Sequence, residues 1–180
     1  KAALLAQQAK VDPHKMRYVA FEGGGELVSR LGVRRKADLL IPPEADIFEA
    51  VRAASQTQKL ACVLCDESQF FTPEQADQLF LVTVDLGIPV ICYGLRADFM
   101  MRGFPGSTRL LEIAHTIEEL KTICACGRKA ICNGRKVNGE FVFEGAQVAI
   151  DTVDDVEYQS LCPQCWYREY RAFLARHPKK

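Results

Sequence analysis

Two strand-length runs almost without polar side chains constrain this fold more than any other feature: Leu60-Ala61-Cys62-Val63-Leu64-Cys65 and Ile88-Pro89-Val90-Ile91-Cys92-Tyr93. A strand apolar on both faces must be covered on both, which points to the interior of a parallel sheet with helices on either side. A helix lies between the two runs: Thr72 caps it, Pro73 takes its first position, and it reaches about Leu86 before Gly87 ends it. Upstream, Arg17 to Phe21 and Asp38 to Ile41 read as further strands, and Asp46 as the N-cap of a helix from Ile47 to Ser55. Lys1 to Lys10 is rich in strong helix formers and reads as a helix that begins ahead of this sequence, while Gly23-Gly24-Gly25 reads as a loop. The expected fold class is α/β. In such sheets ligands gather beyond the carboxyl ends of the strands, where Asp66, Glu67 and the Gly94 to Phe104 loop lie.

After Lys121 the texture changes. Cysteines cluster, Asn133-Gly134 and Asn138-Gly139 give turn signals, and short β-like pieces (Glu140 to Phe143, Gln147 to Ile150) replace the longer alternation. The expected division is 1–121 as the α/β unit and 122–180 as a second, smaller unit. So small a unit buries little apolar surface and needs a staple. Cys124-x-Cys126 and Cys162-x-x-Cys165 provide one, because two close pairs joined by a β-like insert is the layout of a structural Zn²⁺ site with four thiolates. The alternative is a pair of disulfides or four unrelated thiols. A bridge across a single residue is strained, and with no secretory leader in the sequence the expected compartment is reducing. Cys62, Cys65 and Cys92 fall within apolar strands and read as core thiols.

The chain of 180 residues is 48% hydrophobic, and its 23 Lys and Arg balance its 23 Asp and Glu. Net neutrality counts against a duplex nucleic-acid binder, which usually carries a basic excess. The basic cluster Arg128, Lys129, Arg135 and Lys136 is read as a solvated face rather than a nucleic-acid surface. With no bilayer-length apolar run and no positive-then-apolar leader, the expected location is the cytoplasm, with no membrane partner.

The apolar strand ending in Asp66-Glu67 has the form of a Walker B element, in which the aspartate serves Mg²⁺ and the glutamate orients or deprotonates the attacking group. Solvated acidic residues also end strands for no catalytic reason, so the pair alone decides nothing. The matching phosphate loop, G-x-x-x-x-G-K-[ST], is not found in these residues.

Several stretches together resemble one family. Cys65-Asp66-Glu67-Ser68-Gln69-Phe70-Phe71, the segment Ile88 to Phe99 and Phe104-Pro105-Gly106-Ser107 are similar to the zinc-containing thymidine kinases of bacteria and animal cytosol. Leu120 to Ala130, Val28 to Gly32, Asp46-Ile47-Phe48 and Tyr158 to Cys162 extend the likeness across about residues 1 to 170. The resemblance implies a P-loop NTPase sheet of the RecA-like kind, helices on both faces, and a small zinc-ribbon-like lasso domain. It implies transfer of the γ-phosphoryl of ATP to thymidine (deoxyuridine being a second acceptor) in nucleotide salvage, with dTTP as feedback inhibitor and a homotetramer as the assembly. By position, Glu67 matches the catalytic base and Asp66 the aspartate near Mg²⁺. Phe70, Leu95 and Phe99 match the apolar walls around thymine, while Ile150 and Tyr158 match the lasso that closes over it. Cys124, Cys126, Cys162 and Cys165 match the zinc ligands.

Two departures accompany the likeness. The family carries its P-loop just ahead of the helix at Lys1, and an acidic D-x-R-Y-like segment where Glu22 here abuts Gly23. The expectation is that the native protein has both, and an intact mass no greater than that of these residues would overturn it. The lasso's usual Ile-Gly-Gly is replaced by Ile150-Asp151-Thr152, with about two extra residues before Tyr158. Without a P-loop, the competing function is a catalytically inactive zinc-ribbon binding protein on a kinase scaffold.

Overall fold

The computed structural model describes residues 16–21, 26–28, 34–147 and 155–178. The expected helix at Lys1 to Lys10, the Gly23 to Gly25 loop and Ile150 lie outside the described residues. The chain divides into two compact units. The first takes residues up to Arg96 together with Phe104–His115, and the second takes Ala97–Gly103 and Thr116 onward. The division near Thr116 precedes Lys121 by a few residues, and a short loop cut from the middle of the chain belongs with the second unit.

The first unit is built on a four-stranded sheet in the order β4-β1-β5-β6. Its strands are β1 (Met16–Phe21), β4 (Leu39–Ile41), β5 (Cys62–Asp66) and β6 (Val90–Cys92), and every neighbouring pair is parallel. Along β5, Cys62, Val63, Leu64 and Cys65 are all buried, so both faces are covered, as its unbroken apolar run requires. Val63 and Cys65 share a core with Ile47 and Val51 of helix α1 (Ile47–Thr57) and with Leu79 and Val82 of helix α2 (Pro73–Asp85). Both expected caps are present. Asp46 Oδ1 accepts from the Glu49 N–H at 2.9 Å, while Thr72 and Gln75 exchange side-chain and backbone bonds in a capping box. Gln75 is buried, and its amide nitrogen donates to the carbonyls of Pro42 and Ala45 at 2.8 and 3.1 Å. One side chain thus caps its own helix and fastens the loop that leads into α1.

The apolar runs and the strands differ at their edges. The first strand starts at Cys62 instead of Leu60, and the second starts at Val90 because Pro89 has no N–H to give a ladder. An antiparallel ribbon of β2 (Glu26–Val28) and β3 (Arg34–Lys36) was not foreseen. Helix α3 (Pro105–Ile113) completes the unit.

The second unit holds a small sheet in the order β10-β9-β11, a two-stranded ribbon β7-β8, and helix α4 (Pro163–Arg176). β9 is Cys132–Val137, β10 is Glu140–Val142, β11 is Val156–Leu161, and the ribbon joins Thr122–Ile123 to Lys129–Ala130. Asn138-Gly139 forms the expected two-residue hairpin turn, with φ of 51° and 81°, between the paired Val137 and Glu140. Asn133-Gly134 does not turn. It lies inside β9, where Gly134 is required because a Cβ would come within 2.7 Å of both Leu161 Cδ1 and Phe141 Cε1. The unit's core is small and aromatic: Phe143 meets Trp166 edge-on at 5.0 Å, and Trp166 stacks on Tyr170 at 5.1 Å. Cys124, Cys162 and Cys165 belong to that same buried cluster, so the expected staple is part of the core.

Candidate active site and metal centre

The chain leaves β1 to pair next at β4 on one side, and leaves β5 to pair next at β6 on the other. Such a reversal opens a crevice at the carboxyl ends of adjacent strands, and Asp66-Glu67 stands there at the end of β5. Glu67 is exposed and held at φ 51°, ψ 36°, a left-handed conformation that a glutamate adopts only under constraint. That turn carries the chain directly into the short 3-10 segment Ser68–Phe70.

Gln69 supplies the constraint, and sequence reasoning gave it no role. It is 2% exposed, its Nε2 donates to Glu67 Oε2 at 2.7 Å, and its Oε1 accepts the Leu95 N–H at 3.0 Å. One buried amide therefore fixes the carboxylate of Glu67 and the loop after β6 together. Ser68 adds a second tie, its backbone N–H and Oγ both donating to the Tyr93 carbonyl at 2.9 Å. Gly94 is needed between these bonds, since a Cβ there would come within 2.7 Å of Ser68 Oγ and Gln69 Oε1. The Leu95 carbonyl accepts from Ser107 Oγ at 2.6 Å, so the Leu95 backbone is held from both sides while its side chain stays exposed. Phe70, half-buried, meets Phe104 edge-on at 5.7 Å. The signal that could have flagged Gln69 was an amide two residues after the acidic pair and directly before the apolar Phe70-Phe71.

Among the expected thymine-contacting residues, Phe99 and Tyr158 belong to the second unit. Phe99 is fully buried and the Trp166 indole N–H donates to its carbonyl at 2.9 Å, whereas Tyr158 is half exposed. The loop carrying Phe99 is organised by Asp98, also buried, whose Oδ1 accepts the N–H groups of Met100 and Arg102, each at 2.8 Å. The basic cluster is not a single solvated face. Arg128 and Lys129 are exposed and Lys129 pairs with Glu119, but Arg135 is buried at 3% exposure. Its guanidinium finds acceptors inside the unit, which its sequence neighbours could not reveal.

The four cysteines converge. Their Sγ atoms all lie within 4.8 Å of one another, and Cys126 Sγ is 3.6 Å from Cys162 Sγ. A tetrahedral Zn²⁺ with Zn–S bonds of roughly 2.3 Å has S···S edges of about 3.8 Å, so the donor set and spacing fit that ion. Cys124 and Cys126 sit on the β7–β8 turn, which Gly127 closes at φ 84°, its N–H donating to the Cys124 carbonyl at 2.8 Å. Cys162 caps α4 and its sulfur accepts the Cys165 N–H at 3.5 Å. Backbone hydrogen bonds from Cys126 and Cys162 hold the Cys124 thiol down at about 6, and one from Cys165 lowers Cys162. Cys165, hydrogen-bonded to the sulfurs of Cys126 and Cys162, is pushed up to about 12. A bound metal would displace the protons that remain. All four cysteines are free thiols, so the disulfide alternative is not realised.

The comparisons with known proteins agree on one family. A family model described as thymidine kinase matches residues 15–166. A thymidine kinase of Ruegeria pomeroyi is 43% identical over 145 residues, which cover 80% of this chain and 72% of that protein. One from Pasteurella multocida is 46% identical and one from Enterobacteria phage T4 is 42% identical, each over 78% of this chain and 72% of its own length. The span of the family model takes in Asp66, Glu67, Gln69 and both cysteine pairs, and the relatives named thymidine kinase do not favour an inactive binding protein. The chain belongs to the thymidine kinase family.

Proposed function

We propose that this enzyme transfers the γ-phosphoryl of ATP to the 5′-hydroxyl of thymidine, with Glu67 as the general base. The observation that carries the assignment is Glu67 itself, at the carboxyl end of β5, in a left-handed backbone, with Gln69 holding one carboxylate oxygen and the other without a hydrogen bond among the described residues. Glu67 takes the hydroxyl proton as the 5′-oxygen forms its bond to the γ-phosphorus. The bond from that phosphorus to the bridging oxygen breaks, and ADP leaves. A Mg²⁺ ion would supply charge neutralisation along the phosphates, and the half-exposed carboxylate of Asp66 is an oxygen donor of the kind it prefers. Phe70, Leu95, Phe99, Ile150 and Tyr158 are assigned to thymine by their positions in the family pattern. The parallel order of β4-β1-β5-β6 supports a P-loop NTPase sheet of the RecA-like kind.

Zn²⁺ on Cys124, Cys126, Cys162 and Cys165 is structural in this reading, because four protein ligands leave no open position. Among the described residues no helix is long and apolar enough to cross a membrane. Work in the cytoplasm, inhibition by dTTP and a homotetrameric assembly complete the proposal. The exposed Leu81 and Val84 of α2 are surface of the kind a subunit contact covers.

Transfer of labelled γ-phosphate to thymidine tests the reading on the full-length gene product. Glu67→Gln keeps the bond from Gln69 possible but removes the base, and turnover is expected to fall roughly 10²- to 10⁴-fold. A variant as active as the wild type would remove Glu67 from the chemistry. A zinc-loaded wild type that transfers nothing would remove the function.

A further inference from the structure

Arg135 is a buried charge with an unusual set of partners, all inside the second unit. It lies on β9 directly opposite Tyr158 of β11, so both side chains leave the same face of the sheet. Its Nε donates to Tyr158 Oη at 3.1 Å, its Nη1 to the Ala146 carbonyl at 2.8 Å, and its Nη2 to the Gln147 carbonyl at 2.8 Å. The guanidinium carbon lies 3.7 Å from the centroid of Phe99 and 5.5 Å from that of Tyr158. Gln147 returns the connection, its Nε2 donating to Asp98 Oδ2 at 3.1 Å and to the Gly103 carbonyl at 3.3 Å. Three separate stretches, 97–103, 146–147 and Tyr158, thus meet at one planar fork.

We infer that Arg135 is a positioning residue for the nucleoside: it sets where Tyr158 stands relative to Phe99 and where the backbone of Ala146 and Gln147 is held. The inference rests on the proposed function, which assigns Phe99 and Tyr158 to the thymine base. Arg135 acts through these groups. Only a guanidinium does all of this at once, because it is flat enough to stack on Phe99 while its edge donates in three directions. Lysine offers a single ammonium that cannot stack and span both carbonyls. The buried position also explains why a surface role for this arginine fails: its hydrogen-bonding nitrogens are taken by the protein itself.

The test uses the full-length, zinc-loaded enzyme with Arg135→Ala, Arg135→Lys and Tyr158→Phe. Zinc content and thermal unfolding are measured beside steady-state kinetics for thymidine, deoxyuridine and ATP. Arg135→Ala is expected to raise the KM for thymidine roughly tenfold to a hundredfold, with the KM for ATP moving less than about twofold. Arg135→Lys should recover part of that loss, and Tyr158→Phe, which keeps the ring and deletes one bond, should raise the KM for thymidine only about threefold. If Arg135→Ala fails to fold or loses zinc, the lysine and phenylalanine variants carry the same comparison. Equal rises in the two KM values, or a fall in kcat with the KM for thymidine unchanged, would overturn the inference while leaving the kinase intact. A wild type that phosphorylates neither nucleoside would instead overturn the proposed function beneath it.

Discussion

At the scale of single residues, buried amide side chains tie separate stretches of the first unit together. Gln69 joins Glu67 to Leu95, and Gln75 joins its own helix N-terminus to the Pro42 and Ala45 carbonyls. A buried amide with both ends occupied fixes geometry, and one left half-satisfied costs the desolvation of the stranded group, about 1–3 kcal/mol. Gln69→Leu strands the Leu95 N–H and frees the Glu67 carboxylate to swing. The expected outcome is a fall in kcat of roughly 10-fold to 100-fold, with the enzyme still folded, read in the same labelled-phosphate assay. Unchanged kcat would mean that the left-handed backbone at Glu67 is enough to aim the carboxylate. Gln69 was visible in the sequence, but its role was not, because its second partner, Leu95, is distant along the chain.

Among the elements, helix α3 shows how closely the first unit is drawn together around the 68–71 turn. Pro105 starts the helix, and Gly106 lies so close to that turn that a Cβ would run into the Phe71 carbonyl oxygen. Backbone cannot retreat as a flexible side chain can. Gly106→Ala should therefore destabilise the protein by about 1–3 kcal/mol through the shift it forces on α3. The same shift moves Ser107, whose hydroxyl holds the Leu95 carbonyl, so the KM for thymidine should rise with the loss in thermal stability. A Gly106→Ala enzyme with wild-type Tm and KM would show that the helix can pivot away freely. In sequence the Phe104-Pro105-Gly106-Ser107 string is a family feature and no more. The reason for its glycine is a tertiary contact, and only the fold supplies it.

For the molecule as a whole, the two units are held by different means. The first has an extended apolar core between sheet and helices, whereas the second has an aromatic cluster that includes three of its four paired cysteines. A structural zinc contributes roughly 10–16 kcal/mol to small domains of this kind, more than so small a core provides. The chain has a single tryptophan, Trp166, adjacent to Cys165 and buried in that cluster, so it reports on the second unit alone. Removing the metal with a strong chelator is expected to red-shift Trp166 fluorescence as the ring meets water, while the far-ultraviolet signal of the α/β unit largely persists. Re-addition of Zn²⁺ should reverse the change. Fluorescence indifferent to the chelator would mean that the aromatic core stands without a staple.

The sequence by itself determined the apolar strands of the sheet, the caps at Asp46 and Thr72, the acidic pair after β5, the Asn138-Gly139 hairpin and the two close cysteine pairs, Cys124-x-Cys126 and Cys162-x-x-Cys165. Each of these is written in residues close together, where periodicity, a capping side chain or a fixed spacing carries the physics. Only the tertiary structure decided that Asn133-Gly134 lies within a strand, that the loop 97–103 belongs with the cysteine unit, and that Arg135 is turned inward. Those three outcomes depend on Leu161 and Phe141, on Asp98 and Gln147, and on Phe99 and Tyr158. A charge or a glycine looks the same in sequence whether water or a distant side chain lies beside it, and folding alone decides which does.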